Sequence, residues 1–301
     1  MEINEILFAH RGELTSRKKD ADKGYYGRVI IAGGSCGMAG AAFLSGISAF
    51  RCGVGMVRFL GPGCNRVILQ TLLPEAMYES SDDMSDQTAS LALSWGNILI
   101  LGPGLSRSDE ARTMVKRFTD PGFLDTLLPS GKSAPGKMRF IIIDADALNI
   151  ISEEGIDLKE ASSCRLSPHI VITPHVGEMS RLTSLPINEI KSDPAGIALE
   201  YSRSHGVDVV LKDHVTFCAS PERVVRIDSG TGAMAKAGSG DVLTGFIAGV
   251  AAILREHPED AAPVGAFLHG RAGTIAERKK GCHGLLARDI ADHAFEAFAS
   301  I

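Results

Sequence analysis

The sequence predicts an α/β fold: a mostly parallel central sheet with helices on both faces, an antiparallel hairpin near residues 215–227, and helices at the C-terminal end. Three observations predict it. Short β-branched apolar runs recur along the chain, helical apolar spacing fills most gaps between them, and turn-forming residues gather at the C-terminal ends of the runs. The composition agrees. Of 301 residues, 45% are hydrophobic and 22% charged, which suits one large globular domain, taken here as residues 1–301, rather than a disordered chain.

The elements follow in order. Strands are expected at Val29–Ala32, Met56–Leu60, Ile98–Leu101, Phe140–Asp144, Ile170–Thr173 and Val209–Lys212, with helices at Ala39–Arg51, Asp109–Phe118 and Asp193–Ser204. Val215–Ala219 and Val224–Ile227 flank the turn-like stretch SPER and read as a hairpin. Val242–Leu254, Ala261–Glu277 and Leu285–Phe298 are three consecutive helix candidates. Residues 128–138 are linker-like, without marking a domain boundary.

Several function classes are excluded. Net charge is −5 and mixed in sign along the chain, with no basic block for nucleic acid. The longest apolar runs are strand-length and too short to span a membrane. The acidic N-terminus lacks a signal-peptide plan, and the six scattered cysteines form no CxxC pair. Both point to reduced thiols in a cytoplasm.

The loops after the strands carry the chemistry, because the C-terminal edge of an open α/β sheet is where ligands bind. Five such loops are expected to build one extended cleft. In GSGD, Gly238–Asp241, glycines let successive amides converge at a helix start, and the helix dipole favours an anion. Asp241 is then either the helix N-cap or a functional acidic side chain at the mouth of that anion site. Gly245 and Gly249 share a face of that helix and allow close packing. Lys236 and the glycines of GTG, Gly230–Gly232, suit a polyphosphate, although no Walker A lysine pattern is present.

The loop AGGSCGMAGAA lacks the G-x-G-x-x-G spacing and the later acidic residue of a dinucleotide fold. It reads as a ligand-approach loop or a plain strand–helix turn. LGPGLS forms a tight turn. In DADAL, Asp144 and Asp146 are candidate metal donors, with helix N-capping the alternative for Asp146. In TPHVGE, His175 and Glu178 are candidates for substrate or metal. No second histidine has zinc-ligand spacing. In LKDHVT, Lys212 and Thr216 line a nucleotide site or a solvated turn.

Taken together, these motifs resemble the stand-alone ADP/ATP-dependent NAD(P)H-hydrate dehydratases, ribokinase-like proteins with a carbohydrate-kinase-like domain. The resemblance runs from about Thr15 to the C-terminus. It includes Arg17, Asp20, Lys23, Gly24, Tyr26 and Gly27, then AGGS with MAGAA, LPEAM, GPGL, DADAL, TPHVGE, LKDHVT and AKAGSGDVLTG. Three positions depart from the family pattern: Asp22 where histidine is commoner, Asp213 in place of glycine, and Thr231 where asparagine is frequent.

The resemblance implies repair of the hydrates of NADH and NADPH at the expense of ADP or ATP, with Mg2+. The ring hydroxyl is phosphorylated and phosphate is then eliminated. It implies Asp241 as the catalytic base, and Gly238, Ser239 and Gly240 as the phosphate cradle. Lys212, Asp213, His214, Val215, Thr216, Gly240 and Lys236 would hold the nucleotide. Ala41 or Ala42, Gly104, His175 and Asp241 would face the hydrate. Direct metal ligands are not assigned. It further implies a cytoplasmic homo-oligomer, often a tetramer, in the single-function form with no epimerase domain before residue 15, served by a separate epimerase. The competing readings are a vitamin-precursor kinase of the same fold and a nucleotide-binding protein without turnover.

Overall fold

The computed structural model describes residues 2–127 and 138–301. The linker-like stretch 128–138 therefore lies outside the described residues, except for its last residue, Met138, which is buried. Nine strands form one sheet: β1 Arg28–Ala32, β2 Met56–Gly61, β3 Met77–Ser80, β4 Ile98–Leu101, β5 Phe140–Ile143, β6 His169–Ile172, β7 Asp208–Leu211, β8 Thr216–Ala219 and β9 Val224–Ile227. Their order is β3-β2-β1-β4-β5-β6-β7-β8-β9. The first seven are parallel, and β8 and β9 are antiparallel. The chain winds outward from β1 in one direction and from β4 in the other, so a topological switch point lies between them.

Alternation within each strand builds two cores. Val29, Ile31, Ile98, Ile100, Ile142 and Val210 face helices Ala39–Arg51, Ser239–Ile253 and Ala261–Gly284. Ile30, Leu99, Leu101, Ile141, Ile143 and Val209 face helices Asp109–Phe118, Asp146–Glu154 and Pro194–His205 on the other side. Both faces are covered, which is why the strands read as continuous apolar runs.

The sequence expectations need four adjustments. β3 was not expected: its stretch MYES is partly exposed at the sheet edge and has no apolar run to reveal it. The anion-loop helix begins at Ser239, three residues before the predicted Val242, because Gly238 at φ 91° supplies its N-cap. The next helix runs on to Gly284 across a kink at Gly281. The last predicted helix is broken at His293 into Ala287–Asp292 and Ala294–Ala299.

Two glycines bring helix Ser239–Ile253 against helix Ala39–Arg51. A Cβ on Gly245 would stand 2.4 Å from the Ser45 carbonyl, and one on Gly249 would stand 2.2 Å from Cys52 Cβ. The backbone at Ser45 cannot yield as a flexible side chain would. Gly245→Val is therefore expected to lower stability by about 1–3 kcal/mol or more through overpacking, read as a lower urea midpoint with unchanged slope.

Candidate functional site

Asp144 is the first residue past β5, and its side chain is 3% exposed. Thr173, just past β6, donates its hydroxyl to Asp144 Oδ1 at 2.6 Å. Lys212, just past β7, donates Nζ to the same oxygen at 2.8 Å. Three neighbouring strand ends thus converge on one carboxylate. A parallel bridge between His175 and Lys212 and the bond from Lys212 N to Pro174 O (2.8 Å) hold the β6 and β7 loops together. Burial works to lower the Lys212 pKa, but the charges of Asp144 and Glu178 outweigh it, so the ammonium is held above its usual range.

The anion loop sits over this pair. A Cβ on Gly240 would lie 3.5 Å from Lys212 Nζ and 3.7 Å from Asp144 Oδ2. Gly238 is the N-cap and makes no side-chain cap, so Asp241 stands in the first helical turn as N3 rather than as the cap. Its backbone carbonyl accepts from Ser45 Oγ at 3.0 Å and Thr244 Oγ1 at 2.7 Å, which fixes the turn from helix Ala39–Arg51. Burial pushes its carboxyl up to about 7, the Asp144 charge adds to this, and Lys212 opposes it.

These groups line a cavity of about 900 Å³, together with His175, Glu178, Asp213, His214, Thr216, the Ser229–Gly232 turn and Lys236. A second hollow of about 780 Å³ lies at the opposite ends of the strands, around Asn97, Arg139, His169 and Asp208. The entry stretch lies at that end too: Gly27 immediately precedes β1, Asp22 Oδ1 accepts from Tyr25 N, and Arg17 stacks on Tyr26. Those motif residues shape the base of the fold, far from the glycine loops.

The loops after β1 and β4 meet at the switch point: Gly34 N donates to Pro103 O at 2.9 Å, and Ser35 N to Gly104 O at 2.6 Å. They pack on each other beside the cavity, and Ala41, Ala42 and Gly104 are outside its lining. Ala41 keeps some exposure against Gly104, whereas Ala42 is fully buried against Gly34 and offers no surface to a ligand. Val215 also lies outside the lining, between His214 and Thr216.

The remaining candidates take definite places. Asp146 is not an N-cap. Ala145 holds that position at φ 52°, and Asp146 Oδ2 instead accepts from Ser106 N at 2.8 Å, tying the GPGLS loop down. His175 caps helix Val176–Thr183: its Nδ1 accepts from Gly177 N and Glu178 N, and its Nε2 lies 3.4 Å from Glu178 Oε1. Burial, then Lys212 and Arg181, holds the ring below its usual pKa, which keeps Nδ1 an acceptor. Lys236 lines the cavity, but its Nζ donates to His283 O at 2.7 Å.

Asp213 and His214 are exposed. Asp213 is absent from the non-glycine positive-φ positions, so no glycine is required there, and its side chain accepts from His214 N. Thr231 caps the short turn Gly232–Met234.

Sequence reasoning missed His269. It lies inside a helix with no local motif to mark it, yet it lines the cavity. Burial pushes it down to about 4 against the pull of the Ser239 backbone, and its Nε2 has no hydrogen-bond partner. Among the described residues no cluster of three or more His, Cys, Asp or Glu is placed to hold a metal ion.

Removing Lys212 would leave the Asp144 carboxylate buried without its cation. Lys212→Met is expected to cost about 3 kcal/mol in chemical denaturation, the low end for a broken buried pair because the lysine side chain is 21% exposed. The double variant Asp144→Asn/Lys212→Met should recover part of it. A double-variant loss equal to the sum of the losses of Lys212→Met and Asp144→Asn would show that the pair does not couple.

A model of the NAD(P)H-hydrate dehydratase family matches residues 29–295. The bifunctional NAD(P)H-hydrate repair enzyme of Moorella thermoacetica is 35% identical over 294 residues, covering 94% of this chain and 51% of that protein. The chain thus spans about half the length of that relative. The ADP-dependent (S)-NAD(P)H-hydrate dehydratase of Bacillus subtilis is 31% identical over 284 residues, covering 94% of this chain and 92% of the relative. The crystal structure of ADP/ATP-dependent NAD(P)H-hydrate dehydratase from Bacillus subtilis, co-crystallized with ATP/Mg2+, superposes with a TM-score of 0.79 at 26% identity, covering 99% and 96% of the two chains. With its ribokinase-like sheet and the GSGD loop seated over Asp144 and Lys212, this chain belongs to the NAD(P)H-hydrate dehydratase family.

Proposed function

We propose that the protein restores NADH and NADPH from their hydrates, using ADP or ATP as phosphoryl donor. The observation that carries this is Asp241: a carboxylate pushed up to about 7, in the first turn of a glycine-started helix, on the wall of the 900 Å³ cavity. A base of that pKa takes a hydroxyl proton most effectively near neutral pH. The hydroxyl oxygen of the hydrate attacks the terminal phosphorus of the nucleotide, and AMP or ADP leaves. Expulsion of phosphate from the ring, with loss of a proton from the adjacent ring carbon, restores the double bond.

The residues divide this work. The backbone of Gly238–Gly240 receives the transferring phosphoryl group, where the N-terminal end of the helix and its dipole stabilise the charge, although Ser239 N is already bonded to Lys236 O at 3.2 Å. Lys212, held protonated, supplies a fixed positive charge beneath that loop. Thr216, Asp213, His214 and the Ser229–Gly232 turn line the nucleotide end. Gly104 and Ala41, which touch, form the hydrate end of this proposal, and Ala41 lies one helical turn before Ser45, which holds the Asp241 backbone.

Mg2+ fits this donor set as an ion carried in by phosphates. No protein cage of three ligands exists among the described residues, and the carboxylates of Asp144 and Asp241 are the ones that would meet it. Bound there, the ion neutralises phosphate charge. A cytoplasmic location, a tetrameric assembly and supply of the hydrate by a separate epimerase belong to the same proposal.

The test is to mix the protein with NADH hydrate, Mg2+ and either ADP or ATP and follow the reduced-nicotinamide absorbance. Recovery with one nucleotide is expected, and it identifies the donor. No recovery with either, but ester formation on a small alcohol, would replace the dehydratase by a kinase. Asp241→Asn should lower kcat by roughly 100-fold or more while nucleotide binding persists. Near-normal turnover would remove Asp241 as the base. In the wild type, kcat/KM for the hydrate should fall about tenfold per pH unit below about 7, as the base becomes protonated.

A further inference from the structure

Two exposed thiols far apart in sequence meet beside the switch point. Cys36 lies in the loop after β1 and Cys64 in the turn after β2. The two thiols lie close enough to act on each other, and Cys64 Sγ donates to Asn65 Oδ1 at 3.7 Å. Independent contacts put their backbones together: the side chain of Asn65, next to Cys64, donates to the carbonyls of Gly34 and of Ser35, next to Cys36. The two sides differ in anchorage. The Gly63–Asn65 turn is tied down by Asp82, whose carboxylate accepts from Gly63 N, and by Tyr78, whose hydroxyl donates to Pro62 O at 2.6 Å. The loop bearing Cys36 runs through Gly37 at φ 87° and exposed Met38 before it packs on Gly104.

We propose that Cys36 and Cys64 form a redox-sensitive dithiol site that a small-molecule disulfide converts to an intrachain disulfide, pinning the Gly33–Gly40 loop to the anchored turn. The exchange balances. One thiolate of the pair attacks a sulfur of the oxidant and releases one small thiolate. The second protein thiolate attacks the protein sulfur of that mixed disulfide and releases the other. The protein loses two protons and two electrons, and the oxidant becomes two thiols. The pair is paused rather than primed at neutral pH, because the Cys36 contact, and then burial, hold the Cys64 thiol above its usual range. Closure should therefore speed up as pH rises. Its consequence for turnover rests on the proposed function, through the contact of the loop with Gly104: the oxidised protein should show a several-fold higher KM for the hydrate.

The experiment treats the whole protein with oxidised glutathione at pH 7 and 8.5, then digests it without reduction. The expected product is a disulfide joining peptides 29–51 and 59–66, formed faster at pH 8.5 and reversed by dithiothreitol. Exposed Cys282 serves as an internal control and should give only a mixed disulfide with glutathione. Absence of the crosslink at both pH values would overturn the site. In parallel, hydrate turnover of the oxidised wild type is compared with that of Cys64→Ser treated identically. A raised KM in the wild type alone supports control of the loop, whereas an unchanged KM, or an equal rise in Cys64→Ser, would overturn it. If untreated protein does not turn over the hydrate, the proposed function fails, while the crosslink still decides the dithiol.

Discussion

The meeting of Asp144 and Lys212 at 2.8 Å, at the ends of β5 and β7, governs the chemistry of this molecule. A carboxylate buried this far is stable only with its cation and a hydroxyl donor, and Lys212 and Thr173 supply both. The pair in turn sets the field at Asp241. The negative member pushes the Asp241 carboxyl up and the positive member restrains it, so it comes to rest at about 7, with burial the largest cause. Lys212 also lies under Gly240, where a Cβ would be in van der Waals contact with the ammonium at 3.5 Å.

That arrangement depends on close backbone approach elsewhere. Gly245 and Gly249 let helix Ser239–Ile253 settle onto helix Ala39–Arg51, and the contact carries Ser45 to the Asp241 carbonyl. Gly238, at φ 91°, turns the chain into the helix, whose first amide, Ser239 N, donates to Lys236 O at 3.2 Å. At the switch point the loops after β1 and β4 share hydrogen bonds and form a wall beside the cavity under the GSGD loop.

Legibility in the sequence followed burial. Strands covered on both faces, such as β4 and β5, stood out as unbroken apolar runs, while β3 at the exposed edge carried no such run. Glycine loops were visible because few residues other than glycine tolerate their backbone. Their grouping was only partly visible: strand order predicts that loops share an edge, but not that those after β1 and β4 pack against each other. His175 and Asp146 stood out as ligand candidates; in the fold each also satisfies backbone amides at a helix or loop start, and His175 lines the cavity. His269 and the Cys36–Cys64 contact had no local signal at all, since their partners are distant in sequence.

The sequence by itself determined the fold class, the glycine turns at the strand ends and the one acidic residue at the start of the anion-loop helix. Those properties are local: period, backbone permissiveness and chain order specify them. Only the tertiary structure decided that Asp241 is not a cap, that its carboxyl is shifted to about 7, and that Lys212 is paired rather than free. The physical reason is that pKa and pairing depend on desolvation and on charges a few ångströms away, and those neighbours come from β5, β6 and β7, which meet only when the sheet has formed.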